Sequence, residues 1–192
     1  ITYIDSEQKY ENRVRLGFFI EHKKRLSKRL DLPLISTERI ASSDLEGEYS
    51  DLTSLFQYMI GNTDFSAIAG PEGEDCCHNS TLFGNEGGPI YSIPYDFDMS
   101  GLVDAPYAEP NPQFRIRSVT QRLYRGRCKF QHHLPESLQL FQDHRSAIYA
   151  LIEEQPELEP KTRKTLSKFI DRFYDVIDNP KKLDREIKSE CI

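Results

Sequence analysis

The stretch 159–180, EPKTRKTLSKFIDRFYDVIDNP, restricts this chain most. Leu166, Phe169, Ile170, Phe173, Tyr174 and Ile177 recur there at steps of three and four. That spacing gathers the apolar residues on one side of a helix, which must bury them against a partner. The neighbouring stretch 135–155, PESLQLFQDHRSAIYALIEEQ, repeats the pattern with Leu138, Phe141, Ile148, Leu151 and Ile152. Earlier, SDLTSLFQYMIGN places Leu52, Leu55, Phe56 and Met59 at helical spacing, with Ser50 or Asp51 as N-cap and Gly61 as stop. SVTQRLYRGR at 118–127 reads as a turn-rich helix, and HKKRLSKRLDLP at 22–33 as a short helix or loop ended by Pro33.

Strand patterns are confined to the first half. Residues 1–5 and 14–21 (VRLGFFIE) read as strands with a polar connection. STLFG and PIYSIPYDF, joined by NEGG, read as a hairpin whose turn tolerates positive φ. A loop rich in Gly, Pro, Asp and Glu runs over 62–75, and a Pro-rich loop over 101–113. The layout is α+β, with strands early, a central hairpin and helices late. A length of 192 residues suits one medium domain with a core, and 38% apolar with 11% aromatic residues is a globular composition. A net charge of −6 argues against a nucleic-acid binder working by charge alone. No apolar run reaches the roughly 18 residues of a membrane span. The opening ITYID, with no methionine, reads as a piece of a longer protein.

Four cysteines, Cys76, Cys77, Cys128 and Cys191, show no CxxC spacing, and neighbours such as Cys76 and Cys77 are not expected to bond to each other. The tripeptide at Asn79–Thr81 matches a glycosylation sequon.

The polar residues that need a reason are Asp64 in IGNTDFS, His78 and Asn79 in CHNSTLF, and Asp96 and Asp98 in PYDFDMSG. A hairpin brings its ends together, so Asn79 before the first strand and Asp96 after the second face one cavity. An amide oxygen with one or two carboxylates is a ligand set for a hard divalent cation such as Mg²⁺ bridging phosphates. An aspartate on the preceding loop could orient a hydroxyl nucleophile or accept its proton. An Asp, then an Asn, then a metal-binding Asp after a short hairpin is the order of a kinase catalytic centre. Taken singly, each has another reading: Asp64 as a turn or cap feature, Asn79 as a turn residue, Asp96 and Asp98 as a surface turn or Ca²⁺ ligand pair, His78 as a packing or hydrogen-bonding residue. His132 and His133 read as a helix entry. Tyr124, Arg125 and Arg127 fit either an anion contact or a capped loop.

The joint motifs resemble those of the spore-coat CotH-type, secretory-type atypical protein kinases, in which HN precedes a hairpin ending in P-aromatic-D-x-D. The chain resembles more closely a set of uncharacterised bacterial proteins with YMIGNTD, HN and PYDFDxSGLV in this order. The resemblance implies an atypical kinase-like fold: residues 1–24 as the end of the N-lobe strands and hinge, 25–192 as the helical C-lobe. It implies Asp64 as catalytic base or substrate-orienting residue, Asn79, Asp96 and Asp98 as ligands of Mg or Mn, and Phe19, Ile20 and Glu21 as the hinge against which the adenine of ATP lies. The acceptor would be a hydroxyl, on a protein or another molecule, and relatives of this type are often exported to the periplasm or cell surface. A phosphate-cradling loop and its lysine would lie upstream of Ile1. The acidic insertion AGPEGEDCC departs from the relatives. Two further readings stand beside phosphotransfer: a catalytically inactive pseudokinase or binding module, and a metal-dependent phosphohydrolase using Asp96 and Asp98.

Overall fold

The architecture is that of a computed structural model, which describes residues 2–4, 6, 7, 9, 11, 13, 14, 17 and 19–192. It is α+β and mostly helical, as the periodicity predicts. Two minimal strands, β1 (Thr2–Tyr3) and β2 (Arg13–Val14), pair antiparallel at the start. The strand expected over 14–21 does not extend to its end: residues 17 and 19–21 have no strand structure, and Phe19 and Ile20 are exposed. Helix α1 (Lys23–Leu30) follows, with His22 as N-cap.

The centre of the molecule is α2 (Gly47–Ile60). Its N-cap is Glu46, whose carboxylate accepts from Tyr49 N at 2.6 Å, and not Ser50 or Asp51. Asp51 is instead 2% exposed and accepts from Ser137 Oγ and Tyr124 OH, so its side chain is committed to the interior. Gly61 stops the helix as predicted, at φ 66°, a left-handed conformation that glycine adopts without a Cβ clash.

The hairpin forms as β3 (Ser80–Gly84) and β4 (Ile90–Pro94), antiparallel, with Ser80 opposite Pro94 and Gly84 opposite Ile90. Leu45 bridges Ile90, and Glu46 N donates to Ile90 O, so the hairpin is fastened to the start of α2. Beyond β4 the chain returns to the other end of that helix, where Gly101 N donates to Gly61 O and Leu102 N to Ile60 O. A Cβ on Gly101 would lie 2.4 Å from Val119 O, so only glycine permits this approach.

The expected helix at 118–127 is absent. The segment crosses the core without helical hydrogen bonds because its side chains bond distant backbone: Arg122 donates to Tyr58 O, Met59 O and Phe169 O. A 3₁₀ turn at Cys128–His133 leads into α3 (Leu134–Asp143) and α4 (Arg145–Glu153). The single helix predicted over 135–155 breaks at His144, whose φ of −95° and ψ of 5° leave the helical region and whose Nδ1 donates to Leu140 O. The strongest amphipathic pattern becomes α5 (Pro160–Ile177), followed by α6 (Pro180–Leu183) and a π turn over Asp184–Lys188.

Phe169, Ile170, Phe173, Tyr174, Val176 and Ile177 are the buried face of α5. All but Phe169 join Leu55, Tyr58, Met59 and Ile60 of α2, Leu134, Phe141 and Ile187 in one core. Burying a side chain such as Phe173, which has no exposure, contributes about 1.5–3 kcal/mol. Leu82, Cys76 and Cys77 centre a smaller cluster beneath the hairpin. Cys128 is bonded to Cys191, and Cys76 to Cys77 across a cis peptide, contrary to the expectation for adjacent cysteines. Among the described residues no helix is long and apolar enough to cross a membrane.

Candidate functional site

Asp64, His78 and Asn79 meet where the loop after α2 runs beside the entry to β3. The loop begins on Asn62, which is 1% exposed. Asn62 Nδ2 donates to Gln57 Oε1 at 3.0 Å, and its Oδ1 accepts from Asp64 N at 2.9 Å. One buried amide thereby ties the turn to α2 and fixes the backbone of Asp64. Ser66 N donates to His78 O, and Ser80 Oγ donates to Ser66 O, which hold the loop along the first residues of the hairpin.

The Asp64 carboxylate is bonded on both oxygens. His78 Nε2 donates to Oδ1 at 2.8 Å, and Asn79 Nδ2 donates to Oδ2 at 2.9 Å and to Asp64 O at 2.8 Å. A carboxylate has about four lone-pair sites, so each oxygen keeps capacity for a further donor. Its side chain is 28% exposed. Asn79 sits at φ 55°, and with both amide hydrogens turned to Asp64 its Oδ1 is left as an acceptor. His78 is a hydrogen-bonding partner of Asp64, one of its two readings from sequence.

The opposite lip of the hairpin carries Asp96 and Asp98. Tyr95 N donates to Asn79 O at 3.1 Å, which places Asp96 one residue beyond the residue paired with Asn79. Asp96 Oδ1 accepts from Asp98 N at 3.3 Å, and Asp98 Oδ2 accepts from Tyr107 OH at 3.0 Å. Asp98 thus completes a local turn. Among the described residues neither carboxylate is hydrogen-bonded to Asp64 or Asn79, and no three His, Cys, Asp or Glu side chains form a metal-holding group. Asn79 Oδ1 and one Asp96 oxygen accept no hydrogen bond among the described residues, so these are the atoms that could face a cation.

Sequence reasoning left Arg125 undecided between an anion contact and a capped loop. Its Nη1 donates to Thr63 O at 3.0 Å and Phe65 O at 2.6 Å, the carbonyls on either side of Asp64. The guanidinium also lies 4.6 Å from the ring centroid of Phe65 and 4.5 Å from that of Phe114. Burial lowers its pKa to about 10; nearby Arg127 acts in the same direction and Asp64 in the opposite one. Arg125 fixes the loop by clamping its carbonyls, a contact across some 60 residues that no local motif announces.

Phe19, Ile20 and Glu21 are not brought to this cluster by any contact among the described residues. Phe19 is 95% exposed, and Glu21 is paired with Arg29 of α1 at 2.7 Å, which lowers its pKa. In comparisons with known proteins, no family model, no curated protein and no solved structure matches the chain.

Proposed function

We propose that this chain carries the catalytic centre of a metal- and ATP-dependent phosphotransferase of the atypical, CotH-like kinase type. The observation that carries the reading is the pair of bonds from the Asn79 amide to the carbonyl and carboxylate of Asp64. They join, between the loop after α2 and the entry to β3, the two residues that a phosphoryl-transfer centre needs adjacent: one to receive a hydroxyl proton and one to offer oxygen to a cation.

In this reading Asp64 orients the acceptor hydroxyl and takes its proton. His78, as an Nε2–H donor, and Asn79 hold the carboxylate in one rotamer, so little reorganisation precedes transfer. Arg125 and Asn62 fix the backbone on which Asp64 is carried. Asn79 Oδ1 and Asp96 would hold Mg²⁺ or Mn²⁺, which when bound neutralises charge on the phosphates of ATP. Asp98 shapes the turn that presents Asp96. The acceptor class is a hydroxyl, on a protein or another molecule. The Cys128–Cys191 bond supports an oxidising compartment, in keeping with export.

The test is phosphate transfer from ATP by the full-length protein with Mg²⁺ or Mn²⁺, comparing wild type with Asp96→Ala. Transfer that depends on metal and falls by 100-fold or more, on the order of a lost charge-stabilising group, is the expected result. Equal transfer by Asp96→Ala ends the proposal.

A further inference from the structure

Behind the Thr63–Phe65 loop lies a cavity of about 150 Å³, reached by side chains of α2, the loop, the hairpin and the segment after Tyr124. Its lining includes two guanidinium groups, Arg125 and Arg127, several hydroxyls and no carboxylate side chain. At roughly 30 Å³ per water the space holds several waters or one tetrahedral oxyanion.

The donors facing it are incompletely used. Gln57 is 1% exposed; its Oε1 accepts from Asn62, while its Nε2 is buried with no partner. Arg125 spends Nη1 on the loop carbonyls, and its Nε is likewise buried and unpaired. The Arg127 side chain makes no hydrogen bond or ion pair among the described residues, and it lies close enough to Arg125 for the two charges to repel. Ser66 Oγ accepts from Ala69 N at 3.2 Å, which leaves its O–H free to donate. Buried donors without acceptors are costly, and the neighbouring charge of Arg127 adds to the cost of holding Arg125 charged. Asp64 opposes the Arg125 charge from the loop but does not line the cavity. A small oxyanion offers acceptors to these donors; a cation or an apolar molecule offers none.

We infer that the cavity is an oxyanion site that takes one phosphate or sulfate between Gln57 Nε2, Arg125 Nε and the Arg127 guanidinium. The site stands whether or not Asp64 acts in phosphoryl transfer. Because Arg125 also grips Thr63 O and Phe65 O, an occupant braces the loop that carries Asp64.

The experiment titrates inorganic phosphate into the full-length protein by calorimetry, without nucleotide, both with and without a metal chelator. Saturable one-to-one binding, competed by sulfate, is expected. Arg127→Gln removes a charged donor and weakens it by about tenfold or more. Gln57→Glu, which sets a carboxylate into the lining at nearly constant shape, weakens it at least as much and covers the case in which Arg127→Gln fails to fold. No saturable binding by about 10 mM phosphate overturns the inference. So does affinity unchanged in both variants, or binding that the chelator abolishes.

Discussion

Replacing Arg125 with methionine separates two opposing effects. The fall of the guanidinium pKa to about 10, driven chiefly by burial, corresponds to about 3 kcal/mol against the charged side chain. Against it stand the bonds to Thr63 O and Phe65 O and the faces of Phe65 and Phe114. Methionine relieves the burial penalty and fills much of the same space, but it leaves two carbonyls without a donor, at about 1–3 kcal/mol each. The two lost ring faces add about 0.5–1 kcal/mol each, so about 5–6 kcal/mol lost against about 3 relieved leaves a net loss of about 2 kcal/mol once water reaching the loop recovers part. The loss is local: the Asp64 amide, bonded to Asn62 Oδ1, should exchange its hydrogen faster while amides in α5 keep their relative protection. Urea unfolding and residue-resolved hydrogen exchange measure both. Unchanged stability and unchanged Asp64 exchange would refute the claim that Arg125 clamps the loop.

Two other outcomes follow from interior contacts. Burial raises the Asp51 pKa above its ordinary 3.8, so the folded chain holds that proton more tightly than the unfolded one. The associated stabilisation is complete below about 3.8 and is lost as pH rises through the raised value. Denaturation curves across this window should therefore show the advantage of wild type over Asp51→Asn shrinking as pH rises; an advantage that grows would contradict the assignment. Opening the Cys128–Cys191 bond, separated by 63 residues, frees a long loop in the unfolded chain. By chain entropy Cys128→Ser should cost up to about 4 kcal/mol in urea unfolding, and a loss below about 1 kcal/mol would show that the bond constrains little.

The helices built on apolar periodicity were readable from sequence because their cause is local: α2 and α5 appear where Leu55, Met59, Phe169 and Phe173 repeat. The hairpin was readable from NEGG and its flanking strands for the same reason. What escaped depends on distant partners. Asp51 looked like a cap until Ser137 and Tyr124 drew it inward, leaving Glu46 to cap α2. The 118–127 segment carries helix-forming residues, but Arg122 and Arg125 bond backbone some 60 residues away, and those bonds outweigh propensity. At the site, the hairpin logic set Asn79 and Asp96 at the two ends of one hairpin, while the bonds from Asn79 to Asp64 lay beyond it. The bond from His78 and the Arg125 clamp depend on how the loop lies against the hairpin, which spacing alone does not express.

The most direct measurement is single-turnover phosphate transfer from ATP by full-length protein carrying Asp64→Asn, with Mg²⁺–ATP binding measured in parallel. Asparagine keeps the size of the side chain and an acceptor for His78 or Asn79, but it removes the proton-accepting carboxylate. A fall in the transfer rate of about 100-fold or more with ATP affinity unchanged is the result predicted for a general base. Transfer at the wild-type rate with intact binding would contradict the role assigned to Asp64.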